Sequence, residues 1–149
     1  MTGFTPASPD YAQRVRDSFA RQSIMALIGA ELTAVEPGLV VIELPYRENL
    51  CQQHGFFHAG VTSTIADSAG GYAAFSLFPA GASVLTTEFK INLLAPADGE
   101  RLRAVGRVVK PGRTLTICDV EVFAVKGGQE KICAKLLQTL MTMHGKPDR

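Results

Sequence analysis

The chain has 149 residues, of which 46% are hydrophobic and 19% charged, with a net charge of +1 and no basic run longer than two residues, so nucleic acid is not indicated as a partner. No window approaches the ~20 apolar residues of a membrane span, and Met1 to Asp10 has neither the basic start nor the apolar run of a secretory leader, so the expected location is cytoplasmic. A chain this long buries roughly two-thirds of its unfolded surface without a disulfide or metal to staple it, and Cys51, Cys118 and Cys133, odd in number and without C-x-x-C spacing, read as free thiols.

The sequence contains no internal repeat and no linker, and reads as one domain over residues 1–149, with its core at about 30–143. Asp10 is placed to cap a first helix that runs to about Leu27, with Val15, Phe19, Ile24 and Leu27 inward and Gly29 as its stop. Glu31 to Glu36 and Leu39 to Pro45 flank the turn dipeptide Pro37-Gly38 and predict a hairpin. The polar segment Arg47 to Gln53 leads into a helix from about Ala59 to Leu77. Its alanines and glycines suit close approach by another backbone or chain. Strands are expected at about 83–94, 101–110, 114–126 and 130–143, with the last three joined by tight turns as an antiparallel meander. The order predicts an α+β fold in which one curved antiparallel sheet of about six strands wraps the central helix and buries it on nearly all sides.

One carboxylate, Asp67, interrupts the apolar, small and hydroxylic residues of that helix. An unpaired acid buried there costs several kcal/mol or changes its protonation. The helix start supplies backbone N–H donors at Ala59, Gly60 and Val61, an oxyanion site that the bare Gly60 leaves approachable. Asp67 lies about 12 Å further along the axis at ~1.5 Å per residue. One carbonyl carbon cannot reach both in the same chain, so a catalytic Asp67 requires two copies with antiparallel central helices and a site shared across a dimer. Asp67 would act as general base on water or as nucleophile on the carbonyl, and the residues leave both routes open.

These residues resemble the hotdog-fold acyl-CoA thioesterases of the phenylacetate-degradation (PaaI-like) branch. Gln52, His58-Ala59-Gly60 and Asp67 match that branch in spacing. Gly55, Phe57, the run Asn92-Leu93-Leu94-Ala95-Pro96 and the turn Lys110 to Leu115 also look like family features. The resemblance implies Asp67 as catalytic acid, Ala59 with Gly60 as oxyanion donor, Gln52 as the residue orienting water or thioester, and His58 as the residue shaping the helix start. It implies Thr86 as a hydroxyl that helps place water and Arg113 as a contact for the CoA phosphates, with Phe57 and Thr64 also assigned to substrate binding. It further implies an acyl-CoA substrate, a homodimer often paired back to back into a homotetramer, and no metal or cofactor; the apolar helix and the several phenylalanines suit a medium-chain or aryl acyl group. Ala59 replaces the first glycine of the family pair. Gln52 resembles the related 4-hydroxybenzoyl-CoA thioesterases, which use Glu where this chain has Asp67.

Other readings of the same residues exist. Asp67 could cap a neighbouring turn, and His58 could serve as a helix cap and nothing else. Phe57 could be core, while Gln52, Thr86 and Arg113 could be a solvated loop residue, a packed strand residue and a solvated turn residue. At the level of function the alternatives are an acyl-thioester hydratase or dehydratase, which would want the Asp before the His, and a non-catalytic acyl-CoA-binding domain, which would have no use for Asp67.

Overall fold

The computed structural model describes residues 3–149. In chain order it contains α1 (Tyr11–Arg21), α2 (Ser23–Ile28), β1 (Glu31–Glu36), β2 (Leu39–Pro45), a 3-10 turn at Glu48–Leu50, α3 (Ala59–Phe75), β3 (Ser83–Leu93), β4 (Arg101–Lys110), β5 (Leu115–Lys126) and β6 (Gln129–Met143). All strands join one antiparallel six-stranded sheet in the order β1-β2-β4-β5-β6-β3. The meander β4-β5-β6 forms as the turn residues predict. The chain reaches β3 directly after α3 and lays it on the far side of β6, so β3 is a sheet edge.

The alternation of the strands sets which residues meet α3. Along β6, Ala134, Leu136, Gln138, Leu140 and Thr142 are buried while the residues between them are not, the period of a strand with one covered face. Val40, Ile42, Leu102, Ala104, Val120 and Val122 add the other strands' share of the core, against Ile65, Ala66, Ala69, Ala73 and Phe75 of α3. The contact is close because both surfaces are bare. A Cβ on Gly106 of β4 would meet the Ala69 carbonyl at 2.4 Å, so no larger residue fits without lifting the helix off the sheet.

Three expectations need correction. The first helix does not run to Leu27. Gln22 is extended (φ −77°, ψ 92°) and breaks it into α1 and α2. The break re-phases the second piece, so Met25 and Ile28 face the core while Ile24 and Leu27 are 44% and 74% exposed. Asp10 places no side-chain bond on the helix start; its carboxylate accepts from the Ser8 hydroxyl instead. Nor is α3 covered all round. Its second half is buried, but Gly60, Ser63, Thr64 and Asp67 remain partly open. Their spacing of three and four puts them on one stripe of the helix.

Candidate active site

The start of α3 is built by His58. Its backbone is extended (φ −64°, ψ 140°) and its Nδ1 accepts the Gly60 N–H at 2.8 Å. Its carbonyl accepts from the Val61 and Thr62 N–H groups at 3.0 and 3.1 Å. The reading of three free donors is thereby narrowed: Gly60 and Val61 are committed, and only the Ala59 N–H lacks a partner among the described residues. One unpaired donor remains, at the positive end of a 17-residue helix. His58 is a capping residue here, worth about 1 kcal/mol by analogy with other N-caps.

Gln52 and Phe57 lie beside this start. The Gln52 carbonyl accepts from the Gly55 N–H at 2.9 Å and its Oε1 accepts the His54 N–H, which leaves its side-chain Nε2 without a partner among the described residues. Phe57 is buried, with its ring edge-on to Tyr46. Gln52, Phe56, Phe57, His58 and Ala59 open onto a cavity of about 640 Å³ whose far wall is Leu93 to Ala97.

Asp67 belongs to a different cavity. It is half-buried rather than sealed in the core, and it is not unpaired. Thr86 of β3 donates to its Oδ1 at 2.7 Å, and Gln138 Nε2 of β6 donates to the same oxygen at 3.0 Å and to the Asp67 carbonyl at 3.3 Å. The sheet delivers both donors. Thr86 pairs with Leu140, and Gln138 lies two residues away on the same inner face of β6. A bulge at Thr86/Glu88 follows immediately; bulges bend a strand and re-aim its side chains. Asp67 Oδ2 accepts no bond among the described residues. The adjoining cavity, about 380 Å³, is walled by Ser18, Gln22, Ser68, Tyr72, Val84 and Leu85 among others. Burial pushes the Tyr72 phenol up, against the opposing effect of its Ser18 hydrogen bond.

Thr64 lies one turn before Asp67 on the open stripe and donates its hydroxyl to the Gly60 carbonyl at 2.8 Å. It lines a third cavity, of about 390 Å³, with Gly60, Asp67 and Phe89. Arg113 is apart from all of these. It is exposed in the β4–β5 turn, where its carbonyl contacts His144 Nε2 at 2.7 Å. The structure thus gathers Asp67 with Thr86, and with Thr64 and Gly60 along the open stripe, brings Gln52, Phe57, His58 and Ala59 together at another place, and sets Arg113 near neither.

The sequence reading missed Gln138. Its signal was a polar residue at an inward position between Leu136 and Leu140, which alternation alone makes conspicuous. It also missed why Gly70 is bare: a Cβ there would lie 1.8 Å from Gln138 Oε1. That oxygen is buried with no hydrogen-bond partner, a cost of about 1–3 kcal/mol.

An unpaired amide at a helix start and a held carboxylate on the same helix are the elements of acyl transfer to water. The thioesterase superfamily model matches residues 54–131, which include both. The chain belongs to the thioesterase superfamily. Its fold is the hotdog fold of that family, a sheet packed around α3 with helices preceding it. The crystal structure of a thioesterase family protein from Silicibacter pomeroyi is 53% identical to this thioesterase-family chain, with a TM-score of 0.89 over 91% of this chain and 99% of that one. A Saccharolobus solfataricus protein carrying an esterase name is 30% identical over 125 residues, 84% of this chain and 81% of its own. The 1,4-dihydroxy-2-naphthoyl-CoA hydrolase of Listeria monocytogenes is 25% identical over 95 residues, 64% of this chain and 77% of its own. No helix among the described residues is long and apolar enough to cross a membrane.

Proposed function

We propose that the protein hydrolyses a medium-chain or aryl acyl-CoA to the free acid and CoA, at a site that two copies of the chain build together. One observation carries the reading: Ala59 N–H, at the start of α3 beside the open stripe, and Asp67 Oδ2, at the stripe's other end, are each without a partner among the described residues. In a dimer with antiparallel α3 helices, the stripe of one copy faces the stripe of the other. The Ala59 amide of one copy then polarises the thioester carbonyl, and Asp67 of the second copy meets the carbonyl carbon. As general base, Oδ2 takes a proton from water, the hydroxide adds to the carbon, and the tetrahedral oxyanion rests on the Ala59 N–H until the thiolate leaves. As nucleophile, Oδ2 adds to the carbonyl carbon, the C–S bond breaks and the CoA thiolate leaves, and water then opens the resulting mixed anhydride to the free acid and the Asp67 carboxylate. Gln52, with its free Nε2, helps to orient the thioester or water, Thr86 holds Asp67, and Phe57 and Thr64 flank the substrate. Arg113 reaches the CoA phosphates only if the 3′ end of CoA runs along the sheet to the β4–β5 turn.

The edge strand β3 supports the dimer. It is 11 residues long and exposes Phe89 beside the open stripe and Leu93 beside the helix start, whereas the opposite edge, β1, is short and ends in Glu31 and Glu36. A long edge strand carrying exposed apolar side chains offers a second copy a place to pair, although Glu88 and Lys90 also lie on it. A back-to-back tetramer would use the outer sheet face, where Leu85 and Leu115 both pair with Met141 and are exposed. The CoA hydrolase among the relatives supports a CoA thioester, and both cavities fall within the ~300–1,000 Å³ usual for small-molecule sites.

The test is thiol release from short, medium, long and phenylacetyl-CoA by wild type and Asp67→Asn. The expected result is turnover that falls about 10²- to 10⁴-fold in the variant with the dimer intact. Tight acyl-CoA binding without turnover by the wild type would favour a binding domain instead.

A further inference from the structure

We propose that Gln138 is a positioning residue for the hydrolytic reaction: it fixes the Asp67 carboxylate so that Oδ2, and not Oδ1, faces the substrate. The inference rests on the reading of Asp67 as the reacting acid. Gln138 is 1% exposed and spans from β6 to α3, donating through Nε2 to Asp67 Oδ1 at 3.0 Å and to the Asp67 carbonyl at 3.3 Å. Holding both the side chain and the backbone of one residue from one amide fixes the carboxylate's rotation relative to the helix. Thr86 donates to the same oxygen from the neighbouring strand at 2.7 Å. Among the described residues, two donors converge on Oδ1 and none on Oδ2, which makes the two oxygens of one carboxylate unequal.

The remainder of the amide argues against a packing role. Gln138 Oε1 is buried with no partner, and Gly70 must lack a side chain to make room for it. A methionine or leucine would fill the same volume between Leu136 and Leu140 without leaving a polar atom unpaired. What such a residue could not supply is the Nε2 donor. A buried amide whose one satisfied end grips the reacting carboxylate is retained for that grip.

Gln138→Met separates the two roles, because it keeps the volume and removes the donor. With the acyl-CoA that the wild type turns over best, kcat should fall roughly ten- to a hundredfold, the worth of a hydrogen bond to a charged group. KM should stay within about twofold and the thermal midpoint should hold or rise as the unpaired carbonyl disappears. Gly70→Ala is the second variant, since its Cβ would displace Gln138 while leaving Asp67 and Gln138 both present. It should lower kcat in the same way. Unchanged kcat in Gln138→Met, or a loss fully accounted for by a smaller folded fraction, overturns the proposal. Asp67→Asn is run alongside. If it abolishes turnover while Gln138→Met does not, only the positioning role fails; if it leaves turnover intact, the reading of the site fails with it.

Discussion

The two ends of the open stripe on α3 are prepared by opposite means. At the helix start, a local contact does the work: His58, two residues from Gly60, takes up one N–H with its ring and two more with its carbonyl, and leaves Ala59 alone free. At Asp67 the partners are distant in sequence: Thr86 is 19 residues away and Gln138 is 71. One end is therefore fixed by the helix itself and the other only once the sheet has closed around it. The result is the same in kind at both ends: among the described residues the Ala59 N–H is left as an unpaired donor and Asp67 Oδ2 as an unpaired acceptor. A site assembled in this way should tolerate changes differently at its two ends.

Ala59→Pro should have the largest effect. Ala59 is the first residue of α3, where proline fits a helix because that N–H has no intrahelical use, and His58 already holds the extended conformation a following proline wants. The substitution deletes one donor and little else. Turnover should fall about 10²- to 10³-fold, as when an oxyanion donor is lost, with the thermal midpoint nearly unchanged. A variant with full activity would mean that the Ala59 amide has no part in the chemistry.

His58→Ala perturbs the helix start without deleting the Ala59 donor. It removes a cap and releases the Gly60 N–H, so it should cost about 1 kcal/mol and lower the melting midpoint by about 2–4 °C. Turnover should fall less than in Ala59→Pro, because the Ala59 donor survives. A kcat loss as large as that of Asp67→Asn, in fully folded protein, would give His58 a direct chemical role instead.

The smallest effect belongs to a charge pair outside both ends. Arg103 of β4 holds Glu130 of β6 through two bonds of 2.6 Å, and that hydrogen bond keeps the Glu130 carboxyl below its ordinary value. A lowered carboxyl stabilises the fold above its unfolded pKa of ~4.3 and ceases to do so as the pH falls through the lower, folded value. The pair is partly exposed, so Glu130→Gln should cost less than ~1 kcal/mol at neutral pH and nothing in strong acid, with kcat unaltered. Denaturant titrations at pH 7 and at successively lower pH, until the two proteins' stabilities converge, check both halves. The buried thiols respond only at the far alkaline end: burial pushes Cys118 up to about 12 and Cys133 up to about 11. Both should therefore resist thiol reagents in the native protein at neutral pH.

The sequence made the local end legible and the distant end half so. Pro37-Gly38, Pro111-Gly112 and Gly127-Gly128 announce their turns, and each strand came within a residue or two of its observed limits. The helix start could be read because its parts are contiguous. Asp67 could be read as an anomaly in an apolar helix, but its partners could not, since a pairing across 71 residues leaves no trace in local pattern. Gln138 stood out only once the inward face of β6 was known. The break at Gln22 had no proline or glycine to mark it, which is why Ile24 and Leu27 were expected inside and lie outside.

The claim on which the account turns is that Ala59 and Asp67 serve one substrate from two chains. Asp67→Asn and Ala59→Pro, each nearly inactive alone, are refolded together in equal amounts and assayed for thiol release. A shared site predicts recovery to about one quarter of wild-type activity, because half the dimers are mixed and each mixed dimer holds one intact site. Activity no greater than the mean of the two variants, in dimers shown to have exchanged subunits, would contradict it.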